Sequence, residues 1–220
     1  MTRKNDQVNA TLDRIIGERR SHRKFTEKIP PDDMIERIIH AGLHAPFAAS
    51  AIGNQDDYFR RFIVVRKDSK AMKELIPLVY SEVLTMRDNL AKKMKTNADL
   101  KNRAAPFMNR LDTIKSLGMV PGIGTAPFYI IVAEKRGFPP VELQSLAHCL
   151  ENMWLKATAL DLGFQIVSIT AQMADNARFC SILGIETGNW ALMGCATGYP
   201  AETLSPSIRP SLKEVTTWLE

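Results

Sequence analysis

Cysteine is scarce in this chain: three in 220 residues, Cys149, Cys180 and Cys195, far apart and odd in number. Each sits among apolar or small neighbours and no CxxC pair occurs, which argues against a disulfide framework and for buried free thiols in a reducing compartment. Histidine is scarce as well. His40 and His44 lie four apart, but no glutamate stands between them and no third ligand is near. They read as helix-end histidines, and no metal is expected. No apolar run approaches the ~20 residues of a membrane span. The opening Met1-Thr2-Arg3-Lys4-Asn5-Asp6 is polar and lacks the apolar segment of a signal peptide, so a cytoplasmic protein is expected. Gly118-Met119-Val120-Pro121-Gly122-Ile123-Gly124 is rich in glycine, yet it has no Lys-Ser/Thr pair and follows no strand. It is a linker rather than a phosphate loop. No Ser-His-Asp set or paired-carboxylate motif is visible, and no repeat, low-complexity tract or shift of composition divides residues 1–220.

What the chain does contain is an average globular inventory, 45% apolar and 24% charged, with a net charge of +5. Its basic residues are interspersed with acidic ones, apart from Lys92-Lys93-Met94-Lys95 and one cluster near the start. That distribution favours an anionic small molecule over nucleic acid, which calls for a denser stripe with interleaved aromatics. The cluster is Glu18-Arg19-Arg20-Ser21-His22-Arg23-Lys24-Phe25, directly after an amphipathic run (Val8, Leu12, Ile15, Ile16) that Gly17 is expected to stop. Arginine offers a fixed fork of donors suited to phosphate or to flat, oxygen-rich rings, and the serine adds a short hydrogen bond. Taken alone, such a cluster also reads as a solvated basic turn.

Further along, Pro30-Pro31-Asp32-Asp33 opens a second amphipathic helix through Ile35, Ile38, Ile39 and Leu43, ending near Ala45-Pro46. A small, polar loop follows, then a strand at Phe62–Val65 expected to be buried on both faces. Lys70 to Leu117 reads as two helices, an excursion whose charged middle is either a lid or plain surface. Pro127–Ala133 is the clearest strand. The longest apolar helix runs through Leu143, Leu146, Leu150, Met153, Trp154 and Ala157 and closes at Gly163. Strands at Phe164–Ile169 and Ala191–Thr197 flank a short helix, and Val215–Leu219 ends the chain as a strand or an extended arm.

In this order the elements resemble the FMN-dependent nitroreductase family. Four stretches carry the likeness: Arg19-Arg20-Ser21-His22-Arg23-Lys24-Phe25; Pro31 to Pro46, ending in Ala-Pro; Glu151-Asn152-Met153-Trp154 with Leu162-Gly163; and Gly198-Tyr199-Pro200 with Arg209-Pro210. The resemblance implies an α+β fold, a central, mainly antiparallel sheet flanked by helices, in an intertwined homodimer with FMN at its interface. It implies NAD(P)H as donor and a nitroaromatic, quinone or similar small acceptor. It assigns phosphate, ribityl chain and ring to Arg19, Arg20, Ser21 and Arg23, and phosphate to Arg209. From the partner subunit, the loop after Pro46 would reach the flavin through Ser50, which fits by spacing, or Asn54 or Gln55, which fit by type. Val167 and Ser168 would pass the ring near its reactive nitrogen. With the flavin carrying the chemistry, no catalytic side chain is named. Arg23 at the ring's carbonyl edge would favour negative charge there. Same-fold alternatives are dehalogenation, flavin-ring cleavage or non-catalytic flavin binding. The first two are motivated by the loop from Ser50 to Arg61, which departs from the family's short N-x-Q-P-W connection, and by the long excursion from Lys70 to Leu117.

Overall fold

The computed structural model describes residues 2–53, 57–205 and 207–219. Its centre is strand β2 (Phe128–Lys135), whose first seven residues are all buried. Alternation explains why this strand reads as an unbroken apolar run: Phe128, Ile130 and Val132 enter one core cluster, Tyr129, Ile131 and Ala133 the other. Around it lie β1 (Arg60–Arg66), β3 (Gly163–Val167) and β4 (Trp190–Gly198) in the order β1-β2-β4-β3. Every pairing among these four strands is antiparallel. Helices cover both faces, so the fold is the α+β arrangement expected.

Helices α2 (Asp32–Leu43) and α6 (Glu142–Ala159) pack together on one face. Two acidic residues in its first turn favour the start of α2, and Ile35 and Ile38 form its buried stripe. On α6, Leu146, Cys149, Leu150, Met153, Trp154 and Ala157 are all buried, the wide stripe of a core helix. Burial pushes the Cys149 thiol up to about 12, so it is an inert apolar group. A buried ion pair ties this layer to the sheet edge. Arg60 donates Nε to Glu134 Oε2 at 3.1 Å, Nη1 to the Gly42 carbonyl at 3.0 Å and Nη2 to Ser145 Oγ at 3.0 Å. Burial raises the Glu134 carboxyl, while Ser145 and Arg60 pull it back down.

The opposite face carries the hairpin α4 (Lys70–Thr96) and α5 (Ala98–Leu117), a 3-10 helix (Ser168–Asp175) and α7 (Ala177–Leu183). Asn97 makes the hairpin turn and caps α5 by accepting from Leu100 N at 2.9 Å. α3 (Ala49–Ile52) is a single turn after α2, and α8 (Leu212–Val215) another near the end.

Several boundaries differ from the sequence expectations. α1 (Thr2–Glu18) runs through Gly17, which meets no neighbouring atom and is simply a solvent-facing helix residue. β1 is an edge strand with Val64 39% exposed, because an apolar run reads alike at an edge and at a centre. β3 stops at Val167, where the 3-10 helix begins. Val215, expected in a closing strand or arm, ends α8 instead; Thr216 after it is extended, and the described tail pairs with no described strand of its own chain. No helix among the described residues is long and apolar enough to cross a membrane, and no cluster suited to a metal ion occurs among them.

Candidate functional site

The basic turn leaves α1 and runs beside β3. Ser21 bridges Phe164 in parallel register, and His22 N donates to the Phe164 carbonyl at 3.1 Å. Gly163 makes this approach possible, since a Cβ there would lie 2.9 Å from His22 Cβ. The Leu-Gly ending thus has a physical reason: it lets the turn lie against the strand. From below, α6 holds the turn. Trp154 Nε1 donates to the Arg20 carbonyl at 3.2 Å, and Arg19 stacks over the Trp154 ring at 4.2 Å while its Nε lies 3.3 Å from Glu151. Residue type at Glu151 and Trp154 signalled the family but not this supporting role.

The closing segment crosses the turn on its other side. Thr26 N donates to the Tyr199 carbonyl at 2.9 Å and Ala201 N to the Lys24 carbonyl at 3.1 Å. Lys24 pairs with Glu202 at 2.9 Å, and Arg20 donates to the Ser205 carbonyl. Two stretches nearly 180 residues apart in sequence are therefore one structural unit. Arg209, four residues beyond Ser205, is exposed, and its Nη1 reaches its neighbour Ile208's carbonyl at 3.1 Å. His22, within the turn, is half-buried with Nδ1 sealed from solvent and unpartnered among the described residues. Burial lowers its pKa, Glu202 raises it and Arg20 lowers it further.

Past the end of β3 a cavity of about 250 Å³ opens between the sheet and the α4–α5 hairpin. Val83, Met86, Phe107, Leu111 and Ile114 form its apolar wall, and Gln165, Val167 and Ser168 form the wall opposite. Val167 is buried and Ser168 exposed. The backbone here is braced from within the core: Thr170 Oγ1 donates to the Val167 carbonyl at 2.6 Å, and so accepts from Tyr129 OH at 2.6 Å. Burial raises the Tyr129 phenol, which keeps it a donor. Gly194 faces this pair, and a Cβ there would collide with Thr170 Oγ1 and Tyr129.

Arg23 has no hydrogen-bonded or ionic partner among the described residues, and nor does Arg110 of α5, which also lines the cavity. Burial lowers the Arg110 pKa, and the positive charge of Arg23 lowers it further. The two guanidinium groups therefore feel one another across this region. The sequence reading missed Arg110, because a single arginine in a charged helix looks like surface.

So the structure docks the turn that carries Arg19, Arg20, Ser21 and Arg23 on the start of β3, at Phe164, whereas the cavity is lined by the end of that strand, Val167, and by Ser168; Arg20 faces a separate hollow with Glu18, His22, Asp161 and Glu202. It does not bring Ser50 to them within one chain. Ser50 is exposed on α3, whose Ala51 carbonyl accepts from Phe138 N at 2.8 Å, beyond the far end of β2. Asn54 and Gln55 lie outside the described residues.

Comparison with known proteins follows these lines. The model of the nitroreductase family matches residues 16–199. A nitroreductase with bound FMN from Desulfitobacterium hafniense DCB-2 superposes with a TM-score of 0.68 at 22% identity, covering 95% of this chain and 98% of that one. A nitroreductase with bound FMN from Bacteroides fragilis NCTC 9343 gives 0.66 at 20% identity, over 95% and 98%. A BluB-like flavoprotein from Clostridium difficile 630 gives 0.64 at 23% identity, over 95% and 99%. No curated protein matches the sequence significantly.

Proposed function

Because the chain belongs to the nitroreductase family, we propose that it is an FMN-dependent oxidoreductase passing reducing equivalents from NAD(P)H to a small acceptor such as a nitroaromatic or quinone. The observation that carries this reading is Arg23, a guanidinium unpaired among the described residues, in the turn docked on β3 and close enough for its charge to act on Arg110 in the wall of an apolar cavity. The donor set suits FMN: guanidinium forks at Arg19, Arg20, Arg23 and Arg209 for phosphate and ring oxygens, the hydroxyl of Ser21 in the same turn, and that of Ser168 at the cavity. Bound FMN would supply the hydride and electron chemistry. The chain's own residues would bind and orient it. Arg209 and the Arg19–Arg20 pair would hold the phosphate, Arg23 would face the ring's carbonyl edge, and Val167–Ser168 would lie along the ring. Val83, Met86, Phe107 and Leu111 would keep water from the acceptor.

A homodimer is part of this proposal. The tail presents Ile208, Leu212, Trp218 and Leu219 at 81–95% exposure, and α1 presents Val8, Leu12 and Ile16 about half exposed. Apolar surface of that extent calls for a cover, and a second copy of the chain would supply it. It would also bring its own Ser50 or Asn54 toward the flavin. The three thiols, all free and buried, fit a reducing cytoplasm.

The test is spectroscopic. Purified protein, incubated with FMN and freed of excess, is expected to be yellow and to transfer electrons from NADPH to nitrofurazone. Protein that stays colourless would overturn the proposal. Yellow protein whose absorbance NADPH and NADH leave unchanged under anaerobic conditions would reduce it to flavin binding alone.

A further inference from the structure

We propose that the cavity between β3 and the α4–α5 hairpin is an acceptor site for aromatic compounds carrying an anionic group, with Arg110 as the group that binds the charge. The inference rests on the flavin reading for what happens to that compound, but its own evidence is the cavity.

Size comes first. About 250 Å³ falls below the ~300–1,000 Å³ typical of pockets for drug-sized ligands. It suits one substituted ring better than a whole flavin nucleotide. The walls come second. Val83, Met86, Phe107, Leu111 and Ile169 make its apolar lining, while Arg110, Ser168 and Gln172 supply polar groups. Among the described residues that line the cavity none is acidic. The charge comes third. An exposed arginine on a helix ordinarily finds an acidic neighbour or bulk water, as Arg87 of α4 finds Asp112 at 2.7 Å and Arg103 of α5 finds Asp99 at 3.4 Å. Arg110 has no acidic partner among the described residues, and the like charge of Arg23 acts on it instead. Two cations held near each other without a counter-ion form a field that an anion relieves. Gln165 fixes the wall rather than the ligand: it is 95% buried and its Nε2 donates to the Pro121 carbonyl at 3.0 Å.

Carboxylate is the anion that best fits a planar guanidinium. The position then has a use: the anionic group anchored at Arg110 would keep the ring along Val167–Ser168, where the flavin reading puts the reactive edge.

Benzoate and nitrobenzene test this as a pair, since the nitro group matches carboxylate in shape and lacks its charge. Titrated calorimetrically into the purified protein, with and without FMN, benzoate is expected to bind about tenfold or more tightly than nitrobenzene. Arg110→Gln should remove most of that preference, a loss of roughly tenfold to a hundredfold for benzoate. Its nitrobenzene affinity and FMN content should stay the same, and Arg110→Lys should restore part of the preference. Equal binding of the two probes to the wild type, or a preference that survives Arg110→Gln, would overturn the inference. So would loss of FMN from Arg110→Gln, which would assign the residue to the cofactor instead. If no flavin binds at all, the proposed function fails, whereas the preference for benzoate stands or falls on its own.

Discussion

Two arginines on opposite faces of the sheet illustrate how differently one side chain is used. Arg60 has a wholly buried side chain and is fully engaged, by Glu134, the Gly42 carbonyl and Ser145 Oγ. Arg110 is exposed at a cavity and has no partner among the described residues. A buried charge must bring its own counter-charge, because desolvation costs several kcal/mol per ion. A charge at a cavity keeps enough water to go unpaired until a ligand arrives. The α2–α6 face is accordingly a sealed layer that holds strands, and the α4–α5 face a layer that leaves a space. Function is to be sought on the second.

That contrast can be broken experimentally. The largest effect is expected at the sealed face: Arg60→Ala strands Glu134 without its cation and should cost ~3–5 kcal/mol in urea unfolding. The double substitution Arg60→Met with Glu134→Leu should recover most of that loss. If Arg60→Ala were no more costly than Arg110→Ala, expected within about 0.5 kcal/mol of wild type, the two faces would not differ as described. Gly194→Ala comes next. It crowds Thr170 and Tyr129, which brace the Val167 carbonyl, and should cost about 1–3 kcal/mol by overpacking. Because the brace ends at the cavity, it should also weaken FMN retention; a stability loss with unchanged retention would separate brace from site.

Arg19→Ala and Arg209→Ala sharpen the comparison on the ligand side. Each should lower FMN affinity by about 1.5–3 kcal/mol, read by equilibrium dialysis, with the fold intact by circular dichroism. The smallest effect is a pH dependence. Burial holds the folded-state pKa of His22 below its unfolded value, so its contribution to stability is present above the unfolded value of 6.5 and is lost as pH falls through the lowered one. His22→Gln should flatten the stability profile below pH 6.5, and an unchanged slope would contradict this.

Much of this arrangement was legible in the residues themselves. β2 announced itself through an unbroken apolar run and α6 through a wide apolar stripe, and the four motif stretches, taken in order, led to the fold. What escaped did so for physical reasons. An apolar run does not say whether it lies at the centre or the edge of a sheet, hence β1. A helix passes through an isolated surface glycine at a cost of only about 1 kcal/mol, hence Gly17. The basic turn reads as solvated surface until Trp154, Gly163 and Ser205 close on it, which only the three-dimensional structure shows. Arg110 is the clearest case: nothing in a helix of mixed charge marks the one arginine without a partner. Ser50 is the converse, a residue chosen by spacing that sits away from the turn within one chain.

The most direct measurement is the visible spectrum of the FMN-incubated, desalted protein before and after anaerobic NADPH. The account predicts a flavin absorbance that is retained through gel filtration and bleached by the nucleotide. A colourless protein fraction, with all flavin eluting as free FMN, would contradict it.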